Sequence, residues 1–164
     1  MVTKIMHPTA QKVADAAQKL SLNITIKEFE TSTRTAEDAA NSIGCTVAQI
    51  VKSLLFVVNG QPTLVLVSGP NRLDEKKLAA LCGVGRKKIK RADADIVRQA
   101  TGFAIGGVPP FGHQTKLPTN NDEDFWQFDV IWAAAGTPNA VFDITPDELV
   151  KITDGMKADL KVDS

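Results

Sequence analysis

Cysteine is scarce in this chain: Cys45 and Cys82 stand alone among 164 residues, at no metal-ligand spacing. Each adjoins a glycine near a predicted helix end. Both are expected as buried structural thiols, not as a disulfide or a nucleophile. Histidine is as rare, and His7 and His113 cannot make a three-ligand zinc site without a Cys or carboxylate cluster to complete it. Excess charge is missing too, since 19 basic residues balance 19 acidic ones. That argues against non-specific coating of DNA, and no DNA partner is expected, but a local basic patch remains compatible with it. No apolar run approaches the ~20 residues of a membrane span. The N-terminal MVTKIMHPTAQKV lacks the apolar core of a signal peptide. A cytoplasmic protein with no membrane partner is expected. There is no Walker loop, no Gly-x-Ser-x-Gly elbow, no repeat and no linker. The expectation is one domain spanning residues 1–164, with no cofactor.

What is present centres on Thr101 to His113, TGFAIGGVPPFGH. Gly106, Gly107 and Gly112 let backbone approach closely or take positive φ. Pro109 and Pro110 stiffen the stretch. Such a loop can point amide N–H groups at a ligand, with Phe103, Ile105 and Val108 anchoring it to a core. From composition alone, a pocket wall and a tight connection between strands weigh about evenly. His113 is expected as a loop residue in contact with solvent.

The remaining elements follow from periodicity and punctuation. Thr9 to Leu20 reads as an amphipathic helix, and Leu22, Ile24 and Ile26 alternate as a strand. Thr35 to Asp38 caps a helix that Gly44 stops. The apolar run Leu54 to Val58, the Asn59-Gly60 turn and Pro62 to Ser68 form a hairpin. Lys52 sits at its entry, as a snorkelling lysine or as one with a partner. Helices are expected over Asp74 to Leu81 and Asp93 to Thr101. Between them, Arg86, Lys87, Lys88, Lys90 and Arg91 put five cations in six residues, a solvated face or a track for phosphates. Asn120 to Asp124 reads as an exposed polar turn and Trp126 to Ala134 as a strand. Ala140 to Ile144 is another strand, and Thr145-Pro146-Asp147-Glu148 caps a last helix. The tail, with Leu160 and Val162, can add an edge strand. Helices and strands do not alternate regularly, so an α+β fold is expected: a mixed, mostly antiparallel, barrel-like sheet with peripheral helices.

Three segments together resemble one family: Ile50-Val51-Lys52-Ser53-Leu54-Leu55-Phe56, Gly106-Gly107-Val108-Pro109-Pro110-Phe111-Gly112, and Ala135-Gly136-Thr137-Pro138. They are similar in order and separation to the YbaK family, free-standing relatives of the bacterial prolyl-tRNA synthetase editing domain. The resemblance runs from about Ala39 to Ile152. It implies hydrolysis of amino acids wrongly esterified to tRNA, chiefly tRNA for proline, and a possible association with prolyl-tRNA synthetase. It also implies that Lys52 is the lysine of the editing pocket and Gly107 the glycine lying against the aminoacyl ester. Ser53, Gly106, Val108, Pro110, Gly112, Gly136, Thr137 and Pro138 would bind substrate beside them. Some members carry a serine where this chain has Ala135 and Gly136, and Asp143 lies near a family aspartate. The basic run Arg86 to Arg91 would meet the acceptor stem. Val51, Val108, Ala134 and Ala135 imply a compact pocket for a small amino acid. The alternatives are a non-catalytic tRNA-end or synthetase-associated module, and a small-molecule hydrolase unrelated to tRNA.

Overall fold

A computed structural model describes residues 6–30 and 35–163; residues 1–5 of the N-terminal stretch lie outside it. Among the described residues, five α-helices and eight strands follow in the order α1 (Pro8–Lys19), β1 (Ile26–Glu28), α2 (Ala36–Ile43), β2 (Val51–Val58), β3 (Gln61–Ser68), α3 (Glu75–Cys82), β4 (Ile89–Arg91), α4 (Ala94–Thr101), β5 (Thr119–Asp122), β6 (Ile131–Ala134), β7 (Ala140–Ile144), α5 (Pro146–Thr153) and β8 (Met156–Ala158). The strands form two sheets, ordered β1-β7-β6 and β4-β2-β3-β5-β8. The sheet is mixed and mostly antiparallel, as expected, but it does not close into a barrel. One isolated bridge, Ile50 to Trp132, ties the two sheets together.

Local chemistry sets most boundaries. Thr35 and Asp93 cap α2 and α4 through their side-chain oxygens, and Gly44 and Gly102 end the same helices in the left-handed region. The hairpin is fixed by Asn59 and Gly60, both at positive φ, which registers Val58 against Gln61 and Val51 against Ser68. The hydrophobic sheet face of Val51, Leu55, Leu64 and Leu66 packs on Phe103, Val108, Phe111 and Phe142. The opposite face, Phe56, Val58, Val65 and Val67, packs on Leu78 of α3 and on Leu160.

Three expectations are corrected. Asn120 to Asp124 is no exposed turn: β5 is an inner strand, parallel to both β3 and β8, with Asn121 and Asp122 essentially sealed from solvent. The hydrogen bonds described below satisfy the Asp122 carboxylate, and Asn121 Nδ2 donates to Thr153 Oγ1 at 3.3 Å, while Asn121 Oδ1 is enclosed without a partner. Trp126 to Ala134 is a strand only from Ile131. Its first residues belong to a 3₁₀ turn, Glu123–Gln127, capped when Asp122 accepts from the Asp124 N–H. Of the alternating Leu22, Ile24 and Ile26, only Ile26 joins a strand, pairing with Phe142. The tail's edge strand is Met156–Ala158, while Leu160 is buried against α3.

Candidate active site

The glycine-proline loop is stiff because nearly every turn of it is pinned. The Phe103 N–H donates to Thr101 Oγ1 at 3.0 Å, and the Gly107 N–H donates to the Ala104 carbonyl at 3.0 Å. His113 Nε2 meets the Pro109 carbonyl at 2.6 Å. Gly112 sits at φ +78° with no room for a side chain, since a Cβ there would come 2.9 Å from the Ala16 methyl of α1. Burial holds the His113 imidazole below its usual pKa. His113 is thus a half-buried support of the loop and not a solvent-facing residue.

The loop meets the turn after β6. Gly136 donates its N–H to the Gly107 carbonyl at 2.9 Å, and a Cβ on Gly107 would lie 2.5 Å from the Gly136 oxygen. Only glycine allows this approach. Beside the junction lies a cavity of about 360 Å³. Gly106 and Val108 form one wall, Thr137 and Pro138 another, and Lys52, Ser53 and Leu54 of β2 a third. Ala36 and Ala39 of α2, Trp132, Ala134 and Arg91 complete it. Sequence distance hid this meeting, but the cavity has a simple cause. β4 pairs with β2 only from Phe56 to Val58, so the β2 edge from Lys52 to Leu54 carries no strand on that side.

The placement of the sequence-derived residues is uneven. Lys52, Ser53, Gly106, Val108, Thr137 and Pro138 come together around the cavity. Gly107 is buried just behind it, with its own amide already used. Pro110 and Gly112 lie in the supporting half of the loop, away from the lining. Gly136 faces a different cleft, of about 620 Å³, that shares Thr137 and Pro138 with the first and includes Lys12, Arg98 and His7. Ile105, expected as a core anchor, is 58% exposed at the cavity mouth. Ala135 is fully buried and does not line the cavity, unlike Val51, Val108 and Ala134. Asp143 sits opposite Trp132 in the β6–β7 pair, outside the lining. The basic run divides. Arg91 turns to the cavity, Arg86 pairs with Glu75 at 3.2 Å, and Lys87, Lys88 and Lys90 are exposed. Cys45 and Cys82 are unpaired and half-buried, and burial raises both thiol pKa values.

Lys52 is held, not free. Its ammonium donates to the Asn71 carbonyl at 2.6 Å, which leaves two of its three protons for a ligand. Burial lowers its pKa, with Arg91 acting in the same direction and Glu37 and Asp122 opposing. Behind Asn71, its side-chain amide donates to Asp122 Oδ2 and Asp124 Oδ2, both at 2.8 Å. Asp122 Oδ2 also accepts from the Ser68 N–H at 3.0 Å, and Lys161 reaches Asp124 at 3.0 Å. Periodicity and motif reading missed Asn71, Asp122 and Trp132. No local signal marked them, because Asn and Asp at 71, 120–122 and 124 are ordinary turn formers.

Residues 30–152 match the model of the aminoacyl-tRNA editing domain. The chain is 35% identical over 125 residues to the uncharacterized protein YwhH of Bacillus subtilis, covering 76% of this chain and 78% of that one. It is 30% identical over 126 residues to the Enterococcus faecalis protein named "Putative Cys-tRNA(Pro)/Cys-tRNA(Cys) deacylase EbsC", covering 76% of each. The proline–tRNA ligase of Elusimicrobium minutum shares 33% identity over 95 residues, which is 57% of this chain and 16% of the ligase. A crystal structure described as "a putative trans-editing enzyme for prolyl tRNA synthetase" superposes with a TM-score of 0.92 at 45% identity, over 97% of this chain and 100% of that one. The chain therefore belongs to the aminoacyl-tRNA editing domain family, in its YbaK-like form.

Proposed function

We propose that this protein is an aminoacyl-tRNA deacylase that removes a small, wrongly attached amino acid from tRNA in trans, with tRNA for proline as the carrier. The observation that carries this reading is the cavity itself: a small hollow with a stiff loop on one side and Lys52, its ammonium held by the Asn71 carbonyl, among the residues on the other. Family membership and the names of its relatives support it.

An aminoacyl ester is already activated, so positioning and stabilisation of the developing oxyanion supply most of the catalysis. Among the described residues, the amides of Gly106 and Val108 make no hydrogen bond, whereas that of Gly107 is spent on Ala104. The two unspent amides are the candidate donors to the ester carbonyl, and Gly107 acts by letting the two loops touch. Lys52 holds the terminal phosphate or ribose of the tRNA end with its remaining protons. A water, oriented by the substrate's own ribose hydroxyl, adds to the carbonyl carbon. The ester C–O bond then breaks, the ribose oxygen leaves with a proton, and the free amino acid departs. Trp132, Ala134 and Val108 limit the side chain that fits. A second sieve of this kind is needed because a synthetase pocket separates one methylene by only ~1–3 kcal/mol.

The test is a panel of tRNAs charged with alanine, serine, cysteine, threonine and proline. Release of small amino acids with prolyl-tRNA spared is the expected result, with Lys52→Ala slower by on the order of 100-fold at unchanged folding. Tight, salt-sensitive tRNA binding without turnover on any ester favours a non-catalytic tRNA-end module instead.

A further inference from the structure

We infer that Asn71 and Asp122 are positioning residues for Lys52, forming with Asp124 a polar brace, buried at Asp122, that fixes the ammonium of this cavity-lining lysine. The inference rests on the deacylase reading of the site and adds to it the residues that set its cation.

A lysine side chain has four rotatable bonds, and at a cavity mouth it would sample many positions. Here the chain from Lys52 to the sheet interior is continuous. The ammonium is bound to a main-chain carbonyl, which does not move unless the Ser68–Asn71 turn moves. That turn is closed by the Asn71 N–H donating to the Ser68 carbonyl at 2.9 Å. It is then tied down by the Asn71 amide, whose protons go to Asp122 and Asp124. Asp122 cannot drift, because it is 1% exposed and its other bonds go to the backbone of β3 and of the 3₁₀ turn. An acidic side chain this deep is costly unless it is satisfied. It stands on an inner strand, behind the Asn71 turn that holds Lys52, where an apolar residue would otherwise pack. Charges on three elements face the ammonium: Glu37 of α2, Asp122 of β5 and Arg91 of β4. The two carboxylates oppose the lowering of its pKa by burial and Arg91.

The test combines a double-mutant cycle with a measurement that needs no turnover. Asn71→Ala is expected to lower kcat about tenfold with KM nearly unchanged. The same change made in Lys52→Ala is expected to cost almost nothing further, because it acts through the lysine. Competitive acetylation of lysines in the substrate-free protein, read by mass spectrometry across pH, reports Lys52 directly. Asp122→Asn preserves shape and removes one charge, so the Lys52 labelling curve should move to lower pH. Equal losses from Asn71→Ala in both backgrounds, or an unmoved labelling curve in Asp122→Asn, would overturn the brace. Absence of deacylation by the unmutated protein refutes the deacylase reading instead, and the labelling curve then still decides whether the brace sets Lys52.

Discussion

Ser53 sits beside Lys52 on the cavity wall, and its hydroxyl is enclosed without a hydrogen-bond partner. An enclosed, unsatisfied hydroxyl costs free energy, so removing it relieves a penalty. Ser53→Ala is expected to leave thermal stability unchanged or raise it by up to ~1 kcal/mol, which calorimetry can read. A clear loss of stability would show that the hydroxyl has a partner in solution. His113 supplies a second measurement at this scale. Its pKa lies below the ordinary 6.5 when folded, because burial disfavours the charged ring. Between the two values the unfolded chain binds a proton that the folded one refuses. Stability therefore falls as pH drops through 6.5, and rises as pH increases across the same window. His113→Asn should flatten that part of the profile in urea titrations from pH 7 to 5, while itself weakening the loop through loss of the bond to Pro109.

At the level of elements, most of the fold was legible because its punctuation is local. The helix stops at Gly44 and Gly102, the Asn59-Gly60 hairpin and the Thr145-Pro146 helix start depend on neighbours within a few positions. β5 was not legible, because Asn120, Asn121 and Asp122 look like a solvated turn until their partners from residues 68, 71 and 153 arrive. The loop and Lys52 were read as a pocket only through a resemblance, since no pattern in sequence brings residue 52 beside 106. The division of labour inside the loop was legible to neither route. Gly106 faces the cavity, while Gly107 makes the contact with the next turn. Gly107 has no positive φ, so its requirement is steric alone. Gly107→Ala should cost about 2–3 kcal/mol and reduce deacylation by separating the two loops. Gly106→Ala places its methyl 3.7 Å from Pro138, an ordinary contact, and pays mainly for its φ of +92°. Parallel urea melts and single-turnover rates distinguish the two, with Gly107→Ala expected to be worse in both.

Over the whole molecule the charges cancel, yet they are not evenly spread. Lys87, Lys88, Lys90 and Arg91 lie together along one edge of the larger sheet, and Arg91 reaches the cavity. A nucleic acid approaching that edge releases counterions in proportion to the phosphates it contacts. Replacing Lys87, Lys88 and Lys90 by Gln should reduce the salt slope of tRNA binding by about one for each side chain that touches a phosphate. Arg86, already paired with Glu75, should contribute least. An unchanged slope in the triple variant would place the tRNA on another face, and the cleft with Lys12 and Arg98 would be the next surface to alter. Among the described residues no helix is long and apolar enough to cross a membrane.

The order in which the larger sheet assembles has a consequence for synthesis. Residues 51–68 emerge from the ribosome as a ready-made hairpin, but the strand that backs it lies some fifty residues downstream, and that strand's outer neighbour is Met156–Ala158. A nascent chain therefore carries Lys52 before the carboxylate behind it exists. The bonds from Asn71 to Asp122 can close only after residues 119–122 have emerged and paired with β3.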